Sequence, residues 1–197
     1  MFLDNPSSWI KDIFINSGIG QDLSSALTLL SMAGVVALLS WLSNLIAKAI
    51  ILRVVTRIVK KSSSKYDDVF LEYKVFTKLS HFAPVLVIWF LAGWAFKAYP
   101  VWFIVVHKVT YIYLVLIGML VMNSFIDAWH AIYNMLPISQ HRHIKGYVQL
   151  VKIIVYLIAG LIVVSVIFKK EVSTLVAGLG AMAAVLILVF KDTLLGL

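Results

Sequence analysis

Val172–Phe190 reads VSTLVAGLGAMAAVLILVF, nineteen residues without a charge. A helix needs about 20 mostly apolar residues to cross the hydrocarbon core of a bilayer, so this stretch reads as a membrane span. Its first half is dense in small residues: Ala177, Gly178, Gly180, Ala181, Ala183 and Ala184. Small side chains let helix backbones approach closely in lipid, which marks Gly178, Gly180 and Ala183 as helix-packing positions. At about 100° per residue, Ala177, Ala181, Ala184, Leu188 and Leu195 share one stripe, with Gly180 and Lys191 beside it. Leu175, Leu179, Met182, Leu186 and Phe190 form the opposite, bulky side. A small face that turns bulky at Leu188 fits copies packed around an axis and closed by a hydrophobic ring, because such a ring can gate by dewetting. A central helix inside a single-chain bundle carries the same pattern.

Upstream, four more apolar runs recur: about Leu23–Leu52, Phe82–Tyr99, Val101–Ile126 and Tyr147–Phe168. The chain is 62% hydrophobic and 13% charged over its 197 residues, against roughly 45–50% and 25% in soluble domains. The expectation is an all-α membrane protein with five transmembrane helices. Pro84 falls in the first turn of the second run, where the lost amide hydrogen would be unpaired anyway, and Pro100 closes that run. The chain divides into an N-terminal segment 1–22, peripheral helices over 23–143, and a terminal pair over 144–197. Met1–Asp12 carries Asp4 and no basic cluster ahead of an apolar core, so a cleaved signal peptide is not expected.

The net charge of +8 raises nucleic-acid binding, but in a membrane protein basic residues first report orientation. Arg53, Arg57, Lys60, Lys61, Lys65, Lys74 and Lys78 follow the first run, and Arg142 and Lys145 follow the third. The positive-inside rule assigns both segments to the cytoplasm. The amino terminus is then outside and the carboxyl end inside, with Lys169 and Lys170 running against the rule. No nucleic-acid partner is expected. Arg53, Arg57, Lys60 and Lys61 are candidates for holding anionic lipid headgroups, at about 1 kcal/mol each, or serve as an orientation signal alone. Membrane lipids are thus the first expected partners.

With these residues in view, GLGAMAAVLILVFKDTLLGL (Gly178–Leu197) resembles the pore-lining helix of the small-conductance mechanosensitive channel (MscS-like) family. It most resembles the miniconductance, YbdG-type branch, in which a small-residue helix is followed by Lys-Asp at a kink. KGYVQLVKIIVYLIAGLIVVSVIF (Lys145–Phe168) is similar to the branch's penultimate helix, so the resemblance covers about Ile144–Leu197. It implies a homo-oligomer, usually a heptamer, in a bacterial inner membrane, with ions and small osmolytes as permeants and opening under bilayer tension during hypo-osmotic shock. The implied pore-lining set is Ala177, Ala181, Ala184, Leu188 and Lys191. The family's two constricting leucines fall on Ala184 and Leu188, and its kink glycine on Asp192. An Ala ring is wider than a Leu ring, which shifts the expected seal toward Leu188. With the glycine absent, Asp192 or Thr193 is the expected cap of a helix leaving in a new direction. Lys191 either lines the pore mouth and favours anions or pairs with Asp192 of a neighbouring copy. The resemblance also implies a second half of this helix and a cytoplasmic vestibule beyond Leu197, so the chain is expected to be a piece of a longer protein.

Other chemistry finds little support in the residues. There is no cysteine. His141, Arg142 and His143, with His130 nearby, lack the carboxylates and spacing of a metal site, so no metal or cofactor is expected. Gly178-Leu-Gly180-Ala-Met-Ala183 matches a loose dinucleotide pattern, but that pattern requires a preceding strand and a water-accessible turn. Asp127 and His130 lie where the third run ends, and His107 and Lys108 near where it begins, so interfacial placement is expected for all four. No nucleophile–base pair suggests an enzyme. Two rivals to a channel stay open: an osmotic sensor of the same architecture that signals to cytoplasmic partners, and a secondary transporter, which would show internal repeats and interrupted helices.

Overall fold

A computed structural model describes the backbone of residues 6–61, 65–140 and 144–195, and the side chains of 7–57, 68–137, 139 and 144–191. Among the described residues every regular element is helical: α1 (Pro6–Asn16), α2 (Gln21–Lys61), α3 (Lys65–Glu72), α4 (Val75–Leu79), α5 (Phe82–Ala95), α6 (Pro100–Asn134), α7 (Lys145–Phe168) and α8 (Val172–Leu195), with a 3₁₀ turn at Pro137–Gln140. Five helical stretches are long and apolar enough to cross a membrane: Gln21–Arg57, Val75–Ala95, Pro100–Asn134, Lys145–Phe168 and Val172–Lys191. The protein is therefore a multi-span helical membrane protein in architecture.

The second span is longer than its apolar run. Taken alone, the 14 residues of α5 rise about 21 Å, short of the ~30 Å hydrocarbon core. Adding α4 gives the 21-residue stretch Val75–Ala95, about 31 Å. The break between α4 and α5 has a local cause, since Pro84 has no amide hydrogen to return to the Ser80 carbonyl. Ala83 N–H donates there instead, at 3.2 Å in a tighter i to i−3 turn, and the Ser80 hydroxyl donates to Thr77 O at 2.6 Å. The 41 residues of α2 and 35 of α6 both exceed a bilayer core. The third span starts at Pro100, the first residue of α6, so His107 and Lys108 lie two turns inside the helix.

Two clusters hold the peripheral helices together. Met32 and Val36 of α2 pack with Ala92, Ala95 and Phe96 at the end of α5, flanked by Ile10 of α1 and by Phe103 and Val106 of α6. Val69 of α3, Val75 of α4 and Ala128 of α6 form the second. Polar pairs stitch the same seams. Ser40 of α2 donates to the Pro84 carbonyl at 3.3 Å, Asn44 Oδ1 lies 3.2 Å from His81 Nδ1, and Tyr99 donates to the Ser25 carbonyl at 3.3 Å. Residue numbers rise along α2 as they fall along α5, so the two helices are antiparallel. Lys78 of α4 donates to Ser124 of α6 at 2.5 Å. In a lipid environment each such contact contributes about 0.6 kcal/mol, rarely above 1.7.

The terminal hairpin α7–α8 joins this body chiefly through packing of α7 on α6. Lys152 of α7 and Asp127 of α6 form an ion pair across that seam. Asp127 thus meets a cation on the neighbouring helix, where sequence alone placed it at an interface. The hairpin turn is set by Lys169, whose φ of 54° is left-handed and closes α7. Lys169 N–H and Lys170 N–H both donate to Ser165 O, the second at 3.1 Å, which ties the turn to the end of α7.

Two outcomes follow for stability in detergent micelles. Replacing Asp127 and Lys152 by alanine, singly and together, is expected to give a coupling energy of about 1 kcal/mol in a double-mutant cycle read by denaturant titration; additive effects would show that the pair contributes nothing. Ala92 is fully buried where α2, α5 and α6 meet, so Ala92→Leu is expected to destabilise by about 1–3 kcal/mol through overpacking, whereas Ala37→Leu on the exposed side of α2 is expected to be neutral in the same titration.

Candidate functional site

α8 is one unbroken helix from Val172 to Leu195. Asp192 and Thr193 lie inside its helical backbone, so no new helix starts at either of them. Their side chains, like that of Leu195, fall outside those described, and so does any pairing of Asp192 with Lys191.

Which way α8 faces follows from its one hairpin partner. A groove of about 520 Å³ between α7 and α8 is lined by Leu157, Gly160, Leu161 and Val164 on one side and Thr174, Leu175, Gly178, Leu179 and Met182 on the other. The bulky stripe of Leu175, Leu179 and Met182 is therefore turned toward α7. Gly178 lies on the same side and lines this groove together with Gly160, but it stays exposed with open space around it and packs on nothing in the chain. Ala177, Ala184 and Leu188 point away from this groove, with Ala181 at its margin about 20° round the helix from Thr174. Leu175 is half-buried, and the rest of α8 from Val172 to Lys191 is exposed, including Gly180, Ala183 and Lys191. Leu188 is 69% exposed. The structure thus gathers the candidate pore-lining residues onto one continuous surface that nothing in the same chain covers.

Earlier in the chain, Arg53 and Arg57 are exposed on the last turns of α2 whose side chains are described. Lys60 and Lys61 continue the same helix, and their side chains lie outside those described. The candidates at His141, Arg142 and His143 also fall outside the described residues. Among those that are described, no three of His, Cys, Asp or Glu gather into a metal-binding group.

The polar interior of the peripheral helices carries more than sequence reading found. His107, expected near an interface, is packed among aromatic side chains. Its ring packs at a tilt against Phe103, centroids 4.2 Å apart, and Trp89, 4.6 Å apart, and its Nδ1 is buried without a hydrogen-bond partner among the described residues. Asn123 Oδ1 is in the same condition on α6. A signal for part of this was present: Ser40 and Asn44, four residues apart in an apolar run, share a face that must find polar partners in lipid. The partner residues Pro84 and His81 carry no mark of their own in the sequence.

No protein-family model matches the chain, and no solved structure matches it significantly.

Proposed function

We propose that the protein is a tension-gated channel in which several copies of the chain surround a pore lined by the small face of α8. The observation that carries this reading is the division of α8 into two faces: Leu175, Leu179 and Met182 line the groove against α7, while Ala177, Ala181, Ala184 and Leu188 lie outside that groove with nothing in the chain over them. Leucine-rich surface is at home in lipid, so exposure alone asks for no partner. A stripe of alanine facing lipid, by contrast, gives up the close backbone approach that small residues allow in membranes. Copies packed on that stripe recover it.

In this reading Leu188 forms the narrowest apolar ring and Ala184 a wider one behind it, so the closed pore is dry. Lys191 follows one turn later and sets a positive ring at the mouth. With the amino terminus outside, that mouth is cytoplasmic, and the membrane is a bacterial inner membrane. The peripheral helices α2 to α6 couple to the bilayer, and tension shifts the population toward whichever arrangement interacts better with the stretched lipid. The number of copies, seven in the family that α7 and α8 resemble, follows from the resemblance. Flux through such a pore is passive and needs neither cofactor nor catalysis, and the permeants are ions and small osmolytes.

Two measurements test the proposal. The chain has no cysteine, so single substitutions give clean cross-linking: Ala181→Cys and Ala184→Cys are expected to yield a ladder of linked copies in membranes under oxidant, and Leu179→Cys, turned toward α7, is expected to stay monomeric. Equal linking at all three sites overturns the assignment of faces. In patch recordings of the full-length protein under suction, Leu188→Ser removes about 2 kcal/mol of apolar burial per copy and is expected to open at clearly lower tension. Silence of the unsubstituted protein up to patch rupture would favour a sensor that signals through a partner.

A further inference from the structure

A second apolar groove, of about 640 Å³, runs along the outside of the α2–α5 pair. Its walls include Leu39, Leu42, Ile46 and Ile50 of α2 and Leu86 and Phe90 of α5, all exposed. From Leu39 to Ile50 the groove follows α2 for about 16 Å at 1.5 Å per residue. Half of a ~30 Å hydrocarbon core is about 15 Å, so the groove is as long as the acyl chains of a single leaflet.

What lies past its end gives the occupant a charge. Taking Leu39 as the origin and about 100° per residue, the groove residues of α2 fall within roughly 80° either side of it. Arg57 returns to about 0° and Arg53 to about −40° on that same wheel, so both arginines continue the groove's own stripe. Arg53 and Arg57 stand about 4.5 and 10.5 Å, respectively, beyond Ile50 along the helix, at the level where a headgroup follows its acyl chains. Both are exposed, and among the described residues neither is joined to a carboxylate. Guanidinium groups bind phosphate oxygens in a bidentate fork. Lys48, the other basic residue on this part of α2, sits about 180° away on the same wheel and faces elsewhere.

We infer that the α2–α5 groove is a binding site for an anionic phospholipid, which lays an acyl chain between Leu39 and Ile50 and sets its phosphate at Arg53 and Arg57. The site rests on the membrane embedding of α2 and α5 and not on conduction, so it stands or falls separately from the channel reading. A lipid held here is a ligand of stated geometry, distinct from the general attraction of basic residues to a charged surface.

Native mass spectrometry of the full chain tests it, after incubation in detergent with phosphatidylglycerol and phosphatidylcholine of identical acyl chains in equal amounts. Preferential retention of phosphatidylglycerol is expected. The double variant Arg53→Gln/Arg57→Gln, which alters only exposed side chains, is expected to lose that preference by about tenfold. Ala47→Trp, which fills the groove and leaves both arginines in place, is expected to reduce retention of the same lipid, and Lys48→Gln to leave it unchanged. An equal loss with Lys48→Gln overturns the proposal in favour of undirected charge attraction. Retention unaffected by both the double variant and Ala47→Trp also overturns it, as does a fall in oligomeric state with Ala47→Trp at constant lipid, which would make the groove a seam between copies.

Discussion

The seam between α6 and α7 carries the architecture. On one side of it lie the peripheral helices, bound to one another by two apolar clusters and a series of polar contacts. On the other lies a hairpin whose second helix is almost wholly exposed within the chain. Within the chain, α8 is connected to the peripheral helices through α7 and α6. The Asp127–Lys152 pair is the polar element of that seam, and the two groups keep about 38% and 25% of their side-chain exposure. Such a pair contributes modest stability and links α7 to α6.

Much of this was legible in the sequence because lipid simplifies the problem. With no water to satisfy backbone groups, a long apolar run has to be helical, and the five runs became five helical spans. The stripes of α8 were legible for a similar reason: periodicity alone separates Ala181 and Ala184 from Leu179 and Met182, and the structure turns the bulky set to α7. Boundaries were less accessible. The helix α4 is contributed by VFTKL, five residues with a lysine, and hydropathy has no way to attach it to the span that follows. Nor did α1 stand out, being a short amphipathic piece held by α2 and α5 rather than by its own propensity.

The interhelical polar contacts were the least legible part. Whether Asp127 meets solvent or Lys152, and whether His107 faces a headgroup or lies between Phe103 and Trp89, depends on which helices become neighbours. That choice is made by packing of Ala92, Ala95 and Ala128, residues too ordinary to draw notice singly. The unbroken course of α8 through Asp192 is of the same kind: an acidic side chain offers a cap, and only the path of the chain decides whether the offer is taken.

The length of α2 has a consequence of its own. Forty-one residues in one helix make a rod of about 61 Å, twice the thickness of the hydrocarbon that it crosses. A film that thins leaves such a rod with excess apolar length, and leaning is the response that keeps it covered, at fractions of a kcal/mol per Å of mismatch. The far end of a leaning rod moves sideways as the film thins, and on α2 that end carries Arg57.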